Sequence, residues 1–75
     1  WIIGAFLNNL GRCETNLARY DEAERSLLEA HAVLEKVLPA GHTRIHSAIR
    51  NLVMLYEKSG KAEQRDAWAA KLPPK

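Results

Sequence analysis

The chain has 75 residues, 47% of them hydrophobic, with eleven Lys and Arg against nine Asp and Glu. That length limits it to one small domain, and a net charge of +2 is too mild to imply a nucleic-acid or membrane partner through its field alone. The single Cys13 excludes an intrachain disulfide, and ordering the chain costs roughly 110 kcal/mol at about 1.5 kcal/mol per residue, which one small core must nearly match.

Strong helix breakers fall at three places: Pro39 with Gly41, Gly60, and the closing Pro73-Pro74. The segments between them predict helices. In the first, Ile3, Phe6, Leu7, Leu10 and Leu17 recur at helical spacing and predict an apolar face. Gly11 interrupts it, at about 1 kcal/mol against Ala unless close packing needs the space. A turn is expected around Leu17 to Tyr20. Asp21 and Glu24 then resemble an N-cap and a capping box. Tyr20, Ala23, Leu27, Ala30, Leu34 and Val37 alternate steps of three and four, which marks one buried face. Arg25 and Glu29 are spaced as an i,i+4 ion pair on the other face. After Pro39-Ala40-Gly41, Thr43 is expected to cap a third helix with Ile45, Ile49, Leu52, Leu55 and Tyr56 inside. A short fourth helix over 61–72 is expected to bury Ala62, Trp68 or Ala69, and Leu72. No run alternates with period two. The prediction is therefore all-α: four helices joined by short turns, each antiparallel to the next.

Self-comparison sharpens this. At a shift of 42 residues, Asn9-Leu10 falls on Asn51-Leu52, Leu7 on Ile49, Glu14 on Tyr56 and Ala18 on Gly60. Leu7, Leu10, Gly11, Ala18, Tyr20, Ala23, Leu27 and Ala30 resemble the residue pattern of the tetratricopeptide repeat family, with Leu7 replacing a common Trp and Glu14 replacing an aromatic. Glu35-Lys36-Val37-Leu38, the Gly41-His42 turn and Asn51-Leu52 resemble the long 42-residue variant found in kinesin light chains, with Thr43 where a Pro often follows the His. The second copy keeps Ile49, Leu52, Tyr56 and Gly60 but has Val53 for Gly, Ala62 for Tyr and Arg65 for Ala. The resemblance implies two helix-turn-helix repeats, a right-handed α-solenoid fragment. Residues 1–41 hold the first repeat and the inter-repeat turn, 42–72 a degenerate capping repeat, and 73–75 a tail. The start at Trp1 suggests the C-terminal part of a longer array.

The resemblance also implies function. In this family the first helix of each pair lines the concave surface. Helical geometry places Ala5, Asn8, Arg12, Thr15 and Asn16 opposite the apolar face of the first helix, and Ser47, Arg50, Met54, Glu57 and Lys58 opposite that of the third. Amides beside guanidinium groups suit an extended peptide with an acidic side chain or a C-terminal carboxylate. Asn8, Arg12, Asn16, Ser47, Arg50, Met54 and Glu57 are the candidate peptide-binding residues. A solvated helix face is the plain alternative. Trp1, Ile2, Ile3 and Phe6 form an apolar start expected to meet a preceding repeat or a second copy. The expectation is a non-enzymatic protein-interaction module. The competing readings are a capping or self-association segment, and a regulatory tail of a bacterial multidomain signalling protein such as a Ser/Thr kinase.

Other signals are weaker. His42 and His46 are spaced as metal ligands, but no Glu follows His42 and a third ligand would have to be His31. No metal or cofactor is expected. Cys13 is expected to be a half-buried, inert thiol. Ser26, Ser47 and Ser59 lie in no nucleophile-elbow context, and there is no Gly-rich phosphate loop. The basic residues alternate with acids, so no nucleic-acid stripe forms. No apolar run reaches the length of about 20 residues that a membrane span needs. The apolar start lacks the basic flank of a signal peptide. One unpaired Cys fits a reducing compartment, so a cytoplasmic location is expected.

Overall fold

The computed structural model describes residues 2–39 and 41–72. Trp1 and Pro73-Pro74, assigned above to an interface and a helix stop, lie outside them. The described residues form four helices and no strand: α1 (Ile2–Asn16), α2 (Tyr20–Val37), α3 (Thr43–Lys58) and α4 (Ala62–Ala69). α1 packs on α2 and α3 on α4. The two pairs are joined where α3 packs on both α2 and α1.

The turns explain the period. α1 ends with Ala18 in the left-handed region at φ 61°, the Ala18 N–H donating to the Thr15 carbonyl and the Arg19 N–H to the Glu14 carbonyl at 2.8 Å. α3 ends identically 42 residues later. Gly60 has φ 79°, its N–H donates to the Glu57 carbonyl, and the Lys61 N–H donates to the Tyr56 carbonyl at 2.8 Å. Both are Schellman motifs, in which two otherwise orphaned carbonyls are satisfied. The capping residues that follow, Arg19 and Lys61, share nearly the same backbone angles.

The core lies between α2 and α3. Ala23, Leu27, Leu52, Leu55 and Tyr56 form one buried cluster, and Leu34, Ile45, Ala48 and Ile49 another. Trp68 of α4 is half-buried and packs against both. Each fully buried Leu contributes about 1.5–3 kcal/mol through its desolvated area. Glycine sets the approach of α1 to α2. A Cβ at Gly4 would stand 2.7 Å from the Leu34 side chain, and one at Gly11 would overlap the Leu27 side chain. Close packing therefore does use Gly11.

Several expectations are corrected. The buried face of α1 is Gly4, Gly11 and Thr15, whereas Ile3, Phe6, Leu10 and Leu17 are exposed. Thr15 is not on the open face; its hydroxyl donates to the Gly11 carbonyl at 2.8 Å inside the helix pair. Hydrophobicity misassigned the phase, because glycine rather than leucine makes the closest contact. Val37 is also exposed, while the next residue, Leu38, packs against the Leu34–Ile45–Ile49 cluster. Asp21 is in the first turn of α2 but makes no cap bond. Glu24 instead accepts the Tyr56 hydroxyl at 2.9 Å. Thr43 is the first helical residue of α3, and His42 is the N-cap, its Nδ1 accepting the Arg44 N–H at 3.1 Å. Arg65 pairs with Asp66 and His31 Nε2 meets Glu35 Oε2, whereas the expected Arg25–Glu29 pair does not form. α4 spans only Ala62–Ala69, with Ala62 and Ala69 exposed. Cys13 is exposed rather than half-buried.

Candidate functional site

The open surface of α1 and α3 is stitched by side chains. Asn8 is the central residue. Its Nδ2 donates to Ser47 Oγ at 3.3 Å, and its Oδ1 accepts Asn51 Nδ2 at 2.6 Å. Farther along, Lys58 Nζ donates to Asn16 Oδ1 at 3.3 Å, linking residues one period apart. These bonds hold the first helices of the two pairs side by side. Ser47 and Met54 are half-buried on this surface, while Arg12, Asn16, Arg50 and Glu57 are exposed. A small polar cleft of about 160 Å³ opens beside Asn8, lined by Ala5, Asn9, Leu34, Arg44 and Ser47. Among the candidate residues, Asn8 and Ser47 thus touch each other, and Arg12 and Arg50 extend into solvent. Asn51, which completes the Asn8 bridge, follows from no surface pattern; it is identifiable only as the 42-residue counterpart of Asn9.

Sequence periodicity gives no sign of a second cleft, of about 420 Å³, behind α3. Its lining is His31, Glu35, Gly41, Ile45, His46, Ile49 and Lys71. His31 is buried, with its Nε2 3.2 Å from Glu35 Oε2 and its ring edge-on to Trp68 at 4.9 Å between centroids. Lys71 Nζ lies 4.5 Å over the same indole, an arrangement worth about 0.5–1 kcal/mol at an exposed site. Burial pushes the His31 pKa below the ordinary imidazole value; Glu35 opposes this and Lys71 adds to it. Burial, then the hydrogen bond and charge of Glu24, push the Tyr56 pKa up to about 12. Among the described residues, no three His, Cys, Asp or Glu side chains converge to hold a metal ion. His42 is used as a helix cap, and His31 as a packed ring.

Glu14 has a purpose that its departure from the family pattern hides. Ser26 is buried at the α1–α2 contact, and its Oγ donates to Glu14 Oε1 at 2.7 Å. The carboxylate replaces an aromatic contact with a charge-assisted hydrogen bond. No helix of the described residues is long and apolar enough to cross a membrane.

No curated protein and no solved structure matches the chain. A family model, that of the tetratricopeptide repeat, matches residues 4–44, which takes in α1, α2 and the start of α3. The match covers more than half of the chain and coincides with the helix pair whose Schellman turn recurs one period later, so the chain belongs to the tetratricopeptide repeat family.

Proposed function

We propose that the chain lays an extended peptide along the joint surface of α1 and α3, with acidic peptide groups held by Arg12 and Arg50. Tetratricopeptide repeats in general serve protein–protein interaction and are typically scaffolds rather than enzymes. The observation that carries this choice of surface is the Asn8 bridge to Ser47 and Asn51. It ties together the two helices that carry the exposed Arg12 and Arg50. Pre-organisation of this kind lowers the ordering cost of binding. Arg suits the task because its fork pairs bidentately with a carboxylate. In this proposal half-buried Met54 supplies an adaptable apolar contact, Ser47 and Asn16 supply polar ones, and Glu57 disfavours acidic groups at that end. Asn8 acts mainly by holding α1 to α3. The exposed, unpaired thiol of Cys13 suits a reducing, cytoplasmic setting.

The test is a fluorescence titration with matched acidic and neutral peptides. The Arg12→Ala, Arg50→Ala double variant is expected to weaken acidic peptides by about tenfold or more, with helicity unchanged. Equal binding of acidic peptides by both proteins would remove this surface from the function.

A further inference from the structure

The cleft behind α3 shares no lining residue with the peptide surface, and its walls carry charges that the fold leaves unused. Three segments build it. His31 and Glu35 come from α2, Ile45, His46 and Ile49 from α3, and Lys71 from the turn after α4. Ile45 and Ile49 are almost fully buried and form an apolar floor. His46 adds a half-buried imidazole to the wall, and Gly41 forms part of the rim without a side chain. The volume, about 420 Å³, falls within the range of small-molecule sites.

Glu35 and Lys71 stand on this cleft with opposite charges and do not pair with each other. The Glu35 carboxylate meets His31 through Oε2, and burial keeps that imidazole largely neutral at neutral pH, so Glu35 retains its charge. Lys71 Nζ rests over the Trp68 ring, whose quadrupole attracts the ammonium without cancelling its charge. Both charges act on the His31 ring, one raising and one lowering its pKa, so they stand on either side of one small space. Opposite charges that share a cleft but not a salt bridge suit a ligand that bridges them. We propose that this cleft binds a small zwitterion with an apolar body, of the class of free aliphatic α-amino acids, its ammonium on Glu35, its carboxylate on Lys71 and its side chain over Ile45 and Ile49. A simple anion would meet the like charge of Glu35, and a simple cation that of Lys71. An interior peptide residue offers neither terminal charge, which separates this cleft from the α1–α3 surface. Ion pairs at exposed side chains are weak, so the affinity is expected in the millimolar range.

The test is an NMR titration of the isotope-labelled chain with L-leucine at neutral pH, followed at the amides of Gly41, His46 and Ile49 and at the Trp68 indole N–H. Three controls each lack one part of the ligand: isoamylamine has no carboxylate, isocaproate no ammonium, and glycine no apolar body. Leucine is expected to bind about tenfold or more tightly than any of them. Glu35 and Lys71 are both exposed, so their charges can be reversed with helicity retained. Glu35→Lys is expected to weaken leucine and to favour isocaproate, and Lys71→Glu to weaken leucine and to favour isoamylamine, each by about tenfold. No saturable shift with leucine up to its solubility would overturn the proposal. So would equal affinity for leucine and its two singly charged analogues, or charge variants that leave all three affinities unchanged. Saturable shifts confined to Asn8, Ser47 and Asn51 would overturn it too, and would assign the zwitterion to the α1–α3 surface.

Discussion

α1 and α3 occupy the same place in successive repeats, yet their faces have opposite fates. On α3, Ile45, Ala48, Leu52 and Leu55 are buried, while His46, Val53 and Glu57 are half-buried or exposed. On α1 the counterparts of the first set, Ile3, Phe6, Leu10 and Cys13, are exposed, and the counterparts of the second, Gly4, Gly11 and Thr15, are buried. The cause is the neighbours. α3 has α2 on its apolar seam and only the eight-residue α4 on its other side, whereas α1 has the 18-residue α2 on its glycine face and, among the described residues, nothing on its seam. Burial in a repeat is set by the position of the pair in the stack, so a residue's type fixes what it can bury and not whether it does.

The largest effect that would break this comparison is a matched pair of truncations. Leu52 is fully buried and Leu10 is its counterpart at 38% exposure. Leu52→Ala is expected to cost about 2–5 kcal/mol, as a cavity in a core. Leu10→Ala, measured in urea, is expected to cost less than about 1 kcal/mol. Equal costs would mean that α1 buries its seam within one chain.

Next is the glycine face. Gly11→Ala gains about 1 kcal/mol of helix propensity, but its methyl meets the fully buried Leu27 and Ala23 backbone. The strain of overpacking, about 1–3 kcal/mol, is expected to win and leave a net loss of up to about 2 kcal/mol. The counterparts of Gly11 and Leu27 in the second pair are Val53 and Ala69. Large and small residues have changed helices, so Val53→Gly is expected to destabilise as well, by about 1 kcal/mol or more, through lost burial and backbone freedom. Thermal or urea unfolding reads both.

How much of this was legible follows from the same pairing. The α3 face was readable, because Ile45, Ile49, Leu52, Leu55 and Tyr56 are large, periodic and covered. The helix boundaries were readable from Pro39, Gly41 and Gly60, and the period from Asn9-Leu10 against Asn51-Leu52. The phase of α1 was not, because the seam is apolar and periodic whether or not a neighbour covers it. Glycine, which leaves no hydrophobic signal, makes the real contact. The polar stitches were hidden for a related reason. Asn8, Glu14, Ser26 and Tyr56 bond to residues 12 to 43 positions away, and no local pattern records such partners. Among the candidate binding residues, the sequence indicated which helix surface they share but not that Asn8 would be engaged by α3.

The titratable groups test the packing behind α3. His31 has a lowered pKa in the folded protein because burial disfavours its charged form. The unfolded chain then binds the proton more tightly. Stability is complete above the unfolded value, near 6.5, and is lost as pH falls through it toward the folded value. A melting temperature that declines across this window, and a shallower decline in His31→Gln, are expected. Tyr56 acts at the other end. Its folded pKa of about 12 exceeds the ordinary tyrosine value of 10.0. Its contribution is complete below 10 and is lost as pH rises toward 12. Tyr56→Phe is expected to flatten that alkaline limb. A pH-independent midpoint from 5 to 7 in the unmodified chain would place His31 in water rather than against Trp68.

The smallest effect compares the two Schellman turns, where the neighbours no longer matter. Ala18 and Gly60 hold the same left-handed position one period apart, at φ 61° and φ 79°. A Cβ at Gly60 would meet nothing within 4 Å, so its substitution is governed by the backbone alone. A non-glycine residue pays about 1–2 kcal/mol for this conformation. Glycine recovers that but loses about 0.4–1 kcal/mol through the greater freedom of its unfolded chain. The balance favours glycine by about 0.5–1 kcal/mol at both turns. Ala18→Gly is therefore expected to stabilise the chain, and Gly60→Ala to destabilise it by a similar amount. The double exchange should leave the midpoint of unfolding nearly unchanged, because the two sites are far enough apart to be additive. If only Gly60→Ala has an effect, Ala18 must be relieved of its strain by the first pair's own packing. The two turns would then share a geometry without sharing an energy.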